Sequence, residues 1–221
     1  MNFLDDISTA LASRPVKGFL SHEEGCALSH AVLAKKSESP VVEIGSYCGL
    51  STVYLAHAVK QTGQVLYAID HHKGSEEHQL DEAFYDPDLI DQKGRVSSLA
   101  SFLDTLERFD LLGSVIPVVA KAQLVATHWQ TKLSLIFIDG GHSFEQAFAD
   151  LTLWSNHLRE GGVLLIHDIY DADSCEGQAP RLALQKFIDS SKGGWHSHRY
   201  YRSMFQVARS EGDFIEFSMA D

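Results

Sequence analysis

Five short runs of apolar residues, separated by segments with helical spacing, constrain the fold of this chain more than any other feature. The runs cover residues 41–44, 65–69, 115–119, 133–138 and 163–166. Strands that are apolar throughout are buried on both faces, as happens when helices cover both sides of a parallel sheet. Two later strand-like runs, 195–202 and 204–208, are close enough in sequence to be antiparallel neighbours. The pattern therefore predicts an α/β fold with a mostly parallel sheet.

Capping signals mark where helices begin between these strands. Ser21 and Glu24 form a capping-box pattern before a helix of about fifteen residues. Ser143 begins a second such pattern, which predicts a helix that runs to Arg159 and stops at Gly161. We expect residues 1–38 to form an N-terminal helical cap on the sheet.

Length and charge restrict the kind of protein and the kind of partner. With 221 residues and 44% apolar content, the chain is expected to form a single domain, 1–221. Its net charge of -12 argues against nucleic acid or an anionic membrane surface as the main partner, because both attract basic proteins. A small molecule is therefore the expected partner.

The cysteines and the first residues of the chain indicate a reducing compartment. Cys26, Cys48 and Cys175 are odd in number and lack the paired spacing of a zinc site, so they are interpreted as buried thiols. Residues 1–14 lack a basic region followed by an apolar run, and no apolar stretch approaches membrane-spanning length. These observations predict a cytoplasmic protein.

The strongest ligand signal is the strand and glycine turn of residues 41–51. Gly45 and Gly49 allow a ligand to approach the backbone, and Ser51 is expected to cap the following helix. A dinucleotide fingerprint needs a third glycine where this chain has Tyr47, so an NAD-linked dehydrogenase is disfavoured. Tyr47 and the carboxylate of Glu43 instead suit a ligand with an ammonium group and no phosphate. S-adenosylmethionine is such a ligand.

Polar residues follow the predicted strands at one edge of the sheet, where ligands bind in open α/β folds. Asp70 can accept both hydroxyls of a ribose, although an exposed turn aspartate is the alternative. The set at this edge contains three acids and four histidines, which are Asp70, His71, His72, Asp139, His142, His167 and Asp168. This clustering favours a functional site over a set of unrelated capping residues.

The motifs resemble a known enzyme class when they are taken together. The pattern Glu43-x-Gly45-x-x-x-Gly49, Asp70 after the second strand, and residues 138–144 and 161–168 resemble class I S-adenosylmethionine-dependent methyltransferases. Within that class the chain is most similar to small-molecule O-methyltransferases of the macrolide-sugar O-methyltransferase and cephalosporin hydroxylase-like group, over about residues 19–208. The resemblance implies a Rossmann-like three-layer sandwich whose seven-stranded sheet has an antiparallel last strand. It also implies methyl transfer to the hydroxyl of a small-molecule acceptor.

The resemblance also implies roles for individual residues. Asp139 and Asp168 occupy the positions of divalent-cation ligands, for Mg²⁺ or Mn²⁺, and His142 occupies the position of the base. This chain departs from its relatives at His167, where many have a second acid, and at Ile169, where others have asparagine. The predicted cofactor contacts are Glu43, Gly45, Ser46, Tyr47, Gly49, Ser51, Asp70, His71 and Asp139.

Several alternatives stay open at the level of sequence. Residues 71–95 are interpreted as a lid that forms the substrate wall, or else as a solvated insertion. The fold could serve a cofactor-binding or regulatory protein without turnover. A non-heme iron oxygenase with two histidines and one carboxylate is a further alternative, which the parallel α/β pattern disfavours. Residues 200–202 could form a surface for a homo-oligomer or simply an outer face of the sheet.

Overall fold

A seven-stranded sheet forms the centre of the computed structural model, which describes residues 3–170, 178–191 and 194–209. The strands are β1 Val41–Ile44, β2 Leu66–Asp70, β3 Val115–Val119, β4 Leu133–Ile138, β5 Leu158–Ile166, β6 Trp195–Tyr201 and β7 Met204–Arg209. Their order in the sheet is β3-β2-β1-β4-β5-β7-β6. β1 to β5 pair in parallel, whereas β7 is antiparallel to both β5 and β6. The predicted fold class is confirmed.

Helices cover both faces of the sheet. They are α1 Phe3–Ser13, α2 His22–Ala34, α3 Leu50–Thr62, α4 Leu99–Arg108, α5 Ala122–His128, α6 Phe144–Ser155 and α7 Gln178–Ser190. Successive side chains of a strand point to opposite faces, and so Val41 packs with α1 to α4 while Val42 packs with α5 to α7. The result is a three-layer sandwich with one apolar core on each side of the sheet.

The N-terminal helices belong to the first of these cores. Ser21 and Glu24 form the predicted capping box at the start of α2, with both reciprocal hydrogen bonds present. Leu4 and Ile7 of α1 are buried against the same layer. In the three described stretches, no helix combines the length and apolar character needed to cross a membrane.

The predicted end of α6 is wrong. The helix stops at Ser155, and the segment predicted to complete it and to stop at Gly161 forms the first part of β5 instead. Where β4 advances two residues, from Leu133 to Leu135, β5 advances five, from Leu158 to Val163. Gly161, at φ 66°, lies within this irregularity and lets the strand rejoin its partner. The glycines therefore shape a strand rather than end a helix.

The prediction that the cysteines are buried thiols is only partly confirmed. Cys48 is buried, but Cys26 is half-buried, and both are free thiols. Cys175 lies outside the described residues.

Candidate functional site

The strand order reverses between β1 and β4, and the loops beyond these two strands touch. Gly45, which follows β1, has a φ of 84°, and a Cβ added to it would lie 1.9 Å from the backbone oxygen of Asp139 after β4. Gly49 has a φ of 95° and precedes the first residue of α3. Glycine is required at Gly45 because no side chain fits between the two loops. The predicted close-approach turn is therefore present.

The predicted role of Ser51 as a helix cap is wrong, and its hydroxyl is used differently. Helix α3 begins at Leu50, its N-cap residue is Gly49, and no side chain caps it. Ser51 Oγ donates to Glu43 Oε1 at 2.5 Å, and Thr52 Oγ1 donates to Glu43 Oε2 at 2.6 Å. These bonds tie the start of α3 to the middle of β1.

Glu43 is fully buried beneath the glycine loop and does not line the cavity above it. Burial raises the pKa of its carboxyl to about 8, although the two hydroxyl donors act in the opposite direction. The contact between Glu43 and a ligand ammonium stays a prediction. The geometry favours an indirect role, in which Glu43 holds the loop in place through Ser51 and Thr52.

Asp70 lies at the end of β2 and braces the same loop from its other side. Its Oδ2 accepts a hydrogen bond from the Tyr47 backbone N–H at 2.9 Å, and its Oδ1 accepts one from the His72 N–H at 2.7 Å. Each carboxylate oxygen has a second lone pair, so both can still accept a hydroxyl. Asp70 and His71 both line the cavity. The contact of Asp70 with a ribose stays a prediction.

A cavity of about 710 Å³ opens above the carboxyl ends of β1 to β5. The predicted residues that line it are Gly45, Ser46, Tyr47, Ser51, Asp70, His71, Asp139, His142 and Asp168. Ser46 Oγ is buried there and finds no hydrogen-bond partner among the described residues. A buried hydroxyl without a partner is costly, and a ligand with a polar group would satisfy it. Of the predicted cofactor contacts, Glu43 and Gly49 do not line the cavity.

An acid and histidine cluster occupies the β4 and β5 side of this cavity. His142 Nε2 lies 2.7 Å from Asp168 Oδ2, and His142 Nδ1 lies 2.7 Å from Glu77 Oε1. Burial lowers the pKa of His142, but the hydrogen bonds to Asp168 and Glu77 outweigh it and raise the pKa to about 10. In this arrangement the imidazole is placed to donate to both carboxylates. The role of His142 as the base stays a prediction.

His167 lies beneath this cluster and is almost fully buried. Its Nδ1 is 3.3 Å from Asp139 Oδ1 and 3.2 Å from Asp168 Oδ2. On a continuing strand, neighbouring side chains would point to opposite faces. The strand ends at Ile166, however, and Asp168 has a φ of 58°, so both side chains reach the same place.

Glu24 of α2 supports His167 from below. Its Oε1 lies 3.5 Å from His167 Nε2 and accepts hydrogen bonds from the backbone N–H and hydroxyl of Ser203, at 3.0 and 2.8 Å. Burial works against the charge of His167, but Asp139, Asp168 and Glu24 raise its pKa well above the usual range. His167 thus holds the two carboxylates of Asp139 and Asp168 in position.

The donor set suits a hard divalent cation. Ligand atoms of Asp139, His142 and Asp168 lie within 4.8 Å of one another. Carboxylate oxygens are the ligands that Mg²⁺ and Mn²⁺ prefer. His142 lies beside these oxygens but directs both of its ring nitrogens to carboxylates. Asp139 and Asp168, the predicted metal ligands, are therefore close enough to share an ion.

The segment 71–95 folds over the cavity instead of projecting into solvent. It contains two short 3-10 helices, Glu76–His78 and Pro87–Leu89. Glu77 contacts His142, and other residues of the segment line the cavity. Lys17, which precedes α2, forms ion pairs of 2.6 and 2.7 Å with Asp86 and Asp88. These contacts favour the wall interpretation over a solvated insertion.

One buried acid of the site was not recognised from the sequence. Asp150 of α6 is 2% exposed and lines the cavity, and its carboxylate accepts a hydrogen bond from Gln123 at 2.7 Å. Burial raises the pKa of Asp150 to about 7. The signal was available, since Asp150 shares a helix face with the apolar residues Ala147, Leu151 and Trp154. A carboxylate on an otherwise apolar helix face indicates that this face packs against polar groups or a cavity.

Comparisons with known proteins agree with this geometry. A family model described as a methyltransferase domain matches residues 42–169. The O-methyltransferase TomG from Streptomyces achromogenes, involved in tomaymycin synthesis and solved with S-adenosylmethionine, is 15% identical. Its TM-score is 0.62, over 96% of this chain and 91% of TomG. An O-methyltransferase from Bacillus cereus, solved with S-adenosylhomocysteine, is 15% identical and has a TM-score of 0.61 over the same shares. At these identities the two structures show a shared fold.

Proposed function

The chain belongs to this family of methyltransferase domains, and we propose that it transfers the methyl group of S-adenosylmethionine to a hydroxyl oxygen of a small molecule. One observation carries the proposal. A single cavity joins the glycine loop and Asp70, which suit the methyl donor, to the Asp139, His142 and Asp168 cluster, which suits a reacting hydroxyl. The sequence resemblance to methyltransferases is confirmed at the level of the family.

The loop and β2 side of the cavity is proposed to hold the methyl donor. Asp70 offers two free lone pairs to the ribose hydroxyls, and the partnerless Ser46 Oγ offers a polar contact. Gly45 and Tyr47 shape the loop against which the amino-acid part would lie. The two solved O-methyltransferases contain S-adenosylmethionine or its product, which supports the same cofactor here.

Positioning and proton removal are the tasks left to the protein. When bound, S-adenosylmethionine supplies a methyl carbon on a sulfonium; its C–S bond breaks as the C–O bond forms, and the electron pair stays on sulfur. The acceptor's hydroxyl proton passes to the array of Glu77, His142 and Asp168. Burial opposes the effect, but the contacts with His142 lower the pKa of Glu77 and of Asp168, so these carboxylates are poor bases while His142 is protonated. We therefore assign the step to His142, which would first release its own proton to solvent.

A divalent cation is the proposed aid to this step. Asp139 and Asp168 would hold Mg²⁺ or Mn²⁺, and either ion would lower the pKa of a bound hydroxyl and orient the acceptor. Titration of the purified protein with Mn²⁺, followed by electron paramagnetic resonance, tests this. Asp139→Asn should weaken binding, whereas equal Mn²⁺ affinity in the variant and the wild type would argue against the site.

The cofactor assignment is tested by isothermal titration calorimetry with S-adenosylhomocysteine. Wild-type protein should bind with micromolar affinity, and Asp70→Ala should weaken binding at least about tenfold, because hydrogen bonds to a charged group contribute about 1.5–3 kcal/mol. Asp104→Ala, on the exposed side of α4, is the matched control. Since Asp70 also braces the loop, thermal unfolding without ligand should accompany the titration. Unchanged affinity in Asp70→Ala would refute the ribose contact.

The reaction is tested with His142→Ala and a panel of hydroxyl compounds. Turnover should fall by at least about 10²-fold while S-adenosylhomocysteine binding survives. His128→Ala, an exposed histidine at the end of α5, should behave like the wild type. Full activity in His142→Ala would remove it from the mechanism. Cofactor binding without turnover of any compound would instead favour a regulatory protein.

A further inference from the structure

Four aromatic rings form a rim at the mouth of the cavity. Phe19 precedes α2, Tyr47 belongs to the glycine loop, and His78 and Phe84 belong to the segment 71–95. The ring centroids of Phe19 and Phe84 are 5.0 Å apart, and those of Tyr47 and His78 are 5.3 Å apart. Phe19 also lies 6.0 Å from Tyr47 and 6.4 Å from His78. Three separate parts of the chain thus bring their rings to one place.

The rim presents apolar surface to the cavity instead of burying it in the core. Phe19 is 63% exposed and Phe84 is 42% exposed, and all four residues line the cavity. Exposed aromatic surface is unfavourable in water unless a ligand covers it. The rings meet at tilted or edge angles of 35° to 66°, so they do not cover one another face to face. Because much of their surface is exposed, the rings of Phe19 and Phe84 are accessible to an additional aromatic ring.

The rim also lies beside the groups that are proposed to react. His78 follows Glu77, whose carboxylate contacts His142. On the other side, the backbone N–H of Tyr47 bonds to Asp70. A molecule held by the rim would thus have the methyl-donor side of the cavity on one flank and the Asp139, His142 and Asp168 cluster on the other. This is the location that an acceptor must occupy.

Ion pairs hold the two halves of the rim together. Lys17, two residues before Phe19, pairs with Asp86 and Asp88, which lie two and four residues after Phe84 in the segment 71–95. The rings of Phe19 and Phe84 are therefore placed by backbone segments that are joined to each other. A preformed arrangement of rings lowers the entropy cost of binding a rigid planar molecule.

We propose that this rim is an acceptor subsite for an aromatic ring, so that the acceptor is a phenolic compound. The inference rests on the proposed function and names its substrate class. Aromatic rings pack favourably at centroid distances of 4.5–7 Å in offset or edge arrangements. The exposed rings of Phe19 and Phe84 can form such contacts with a ligand. A phenol also loses its proton more readily than an aliphatic alcohol, since a phenolic hydroxyl has a pKa of about 10.

The test compares catechol with trans-1,2-cyclohexanediol, which share a six-membered ring and neighbouring hydroxyls but differ in aromaticity. Each is titrated into the protein saturated with S-adenosylhomocysteine and followed by calorimetry. Catechol should bind at least tenfold more tightly than the diol. Phe19→Ala and Phe84→Ala should each remove most of that preference without changing the affinity for S-adenosylhomocysteine. Leu112→Ala, a similarly exposed apolar residue that does not line the cavity, is the control and should keep it.

The outcomes separate this inference from the function on which it rests. Equal affinity for the two probes, no binding of either, or an undiminished preference in both phenylalanine variants would overturn the aromatic subsite. Failure of the wild-type protein to bind S-adenosylhomocysteine would contradict the proposed function, and the inference with it. Thermal unfolding of each variant checks that the exposed substitutions leave the fold intact.

Discussion

Two glycines with similar backbone conformations, Gly45 and Gly63, lie in very different surroundings. Gly45 has a φ of 84° and faces the Asp139 backbone oxygen, whereas Gly63 has a φ of 74° and has no atom within 4 Å of an added Cβ. Gly63→Ala should therefore cost about 1–2 kcal/mol of unfolding free energy, from backbone conformation alone. Gly45→Ala should cost a further 1–3 kcal/mol or so, because the new methyl group overpacks the loop.

Urea unfolding of the two alanine variants measures both costs. Gly45→Ala should also lose S-adenosylhomocysteine binding, because the loop must shift, whereas Gly63→Ala should keep it. Equal losses of stability in the two variants would show that the loops after β1 and β4 are not in close contact.

Glu43 should make the stability of the protein depend on pH. Burial raises the pKa of its carboxyl from 4.5 to about 8, so between these values the folded protein keeps a proton that the unfolded chain releases. This contribution to stability is complete below about pH 4.5 and is lost as the pH rises towards 8. Glu43→Gln, which carries no titrating group, should lack that loss. From pH 5 to 8, the wild type should lose at least about 1 kcal/mol relative to the variant, since one pKa unit corresponds to 1.36 kcal/mol.

Urea unfolding of both proteins at several pH values, without metal or ligand, provides the comparison. Parallel stability curves for the wild type and Glu43→Gln would show that Glu43 is ionised in the folded protein. Sequence could place Glu43 before the glycine turn, but it could not show that Ser51 and Thr52 occupy both carboxylate oxygens. That information depends on where the first turn of α3 begins, and the cap was predicted at Ser51, two residues after the observed N-cap residue Gly49.

At the scale of elements, Glu24 joins three parts of the fold. It completes the capping box of α2, accepts hydrogen bonds from Ser203 between β6 and β7, and supports His167 after β5. Glu24→Ala should lower the free energy of unfolding by about 3 kcal/mol, because it removes one of the carboxylates around the buried His167 and leaves both donors of Ser203 without their acceptor. Glu23→Ala, on the exposed side of the same turn, should change it by less than about 0.5 kcal/mol.

Chemical denaturation of the two variants checks this difference. Similar stabilities for Glu23→Ala and Glu24→Ala would mean that neither the capping box nor the buried contacts of Glu24 contribute measurably. The capping box itself was predictable, since it depends on residues three positions apart. The contacts of Glu24 with His167 and Ser203 were not, because they depend on how α2 lies on the sheet.

Boundaries of elements were less predictable than their existence. All seven strands were expected near their observed positions, since apolar runs report burial directly. The start of β5 was predicted five residues late because Leu158 precedes two glycines, which usually end a helix. Tertiary pairing with β4 decides this case, and pairing leaves no local signal.

At the scale of the whole molecule, the sequence predicted which residues lie at the same edge of the sheet. It did not predict the shape of the cavity between them. Parallel strands bring their carboxyl ends to one edge, and so Asp70, Asp139, His142 and Asp168 were correctly expected at one site. The width of the cavity and the aromatic rim depend on how the segment 71–95 packs on residues before α2. Those contacts involve loops, whose conformation sequence patterns do not determine.

Ligand binding should stabilise the whole fold, because the cavity is built from the loops after five strands. At a concentration of 100 Kd, a ligand adds about 2.7 kcal/mol to the free energy of unfolding. For a protein of this size, each kcal/mol raises Tm by about 2–4 °C. S-adenosylhomocysteine should therefore raise Tm by roughly 5–10 °C in scanning calorimetry, while NADH should leave it unchanged. A shift with NADH and none with S-adenosylhomocysteine would contradict the cofactor assignment.

The bond between Glu24 and Ser203 spans 179 positions of the chain. During synthesis, α2 leaves the ribosome long before the β6–β7 hairpin exists. Until then Glu24 Oε1 lacks the two donors of Ser203, although Glu24 Oε2 can already accept a hydrogen bond from Ser21. The support beneath His167 is therefore completed late, after β7 has been inserted between β5 and β6. A nascent chain that ends at α7 would have β1 to β5 but an unfinished site, so it should be inactive until β7 has been synthesised.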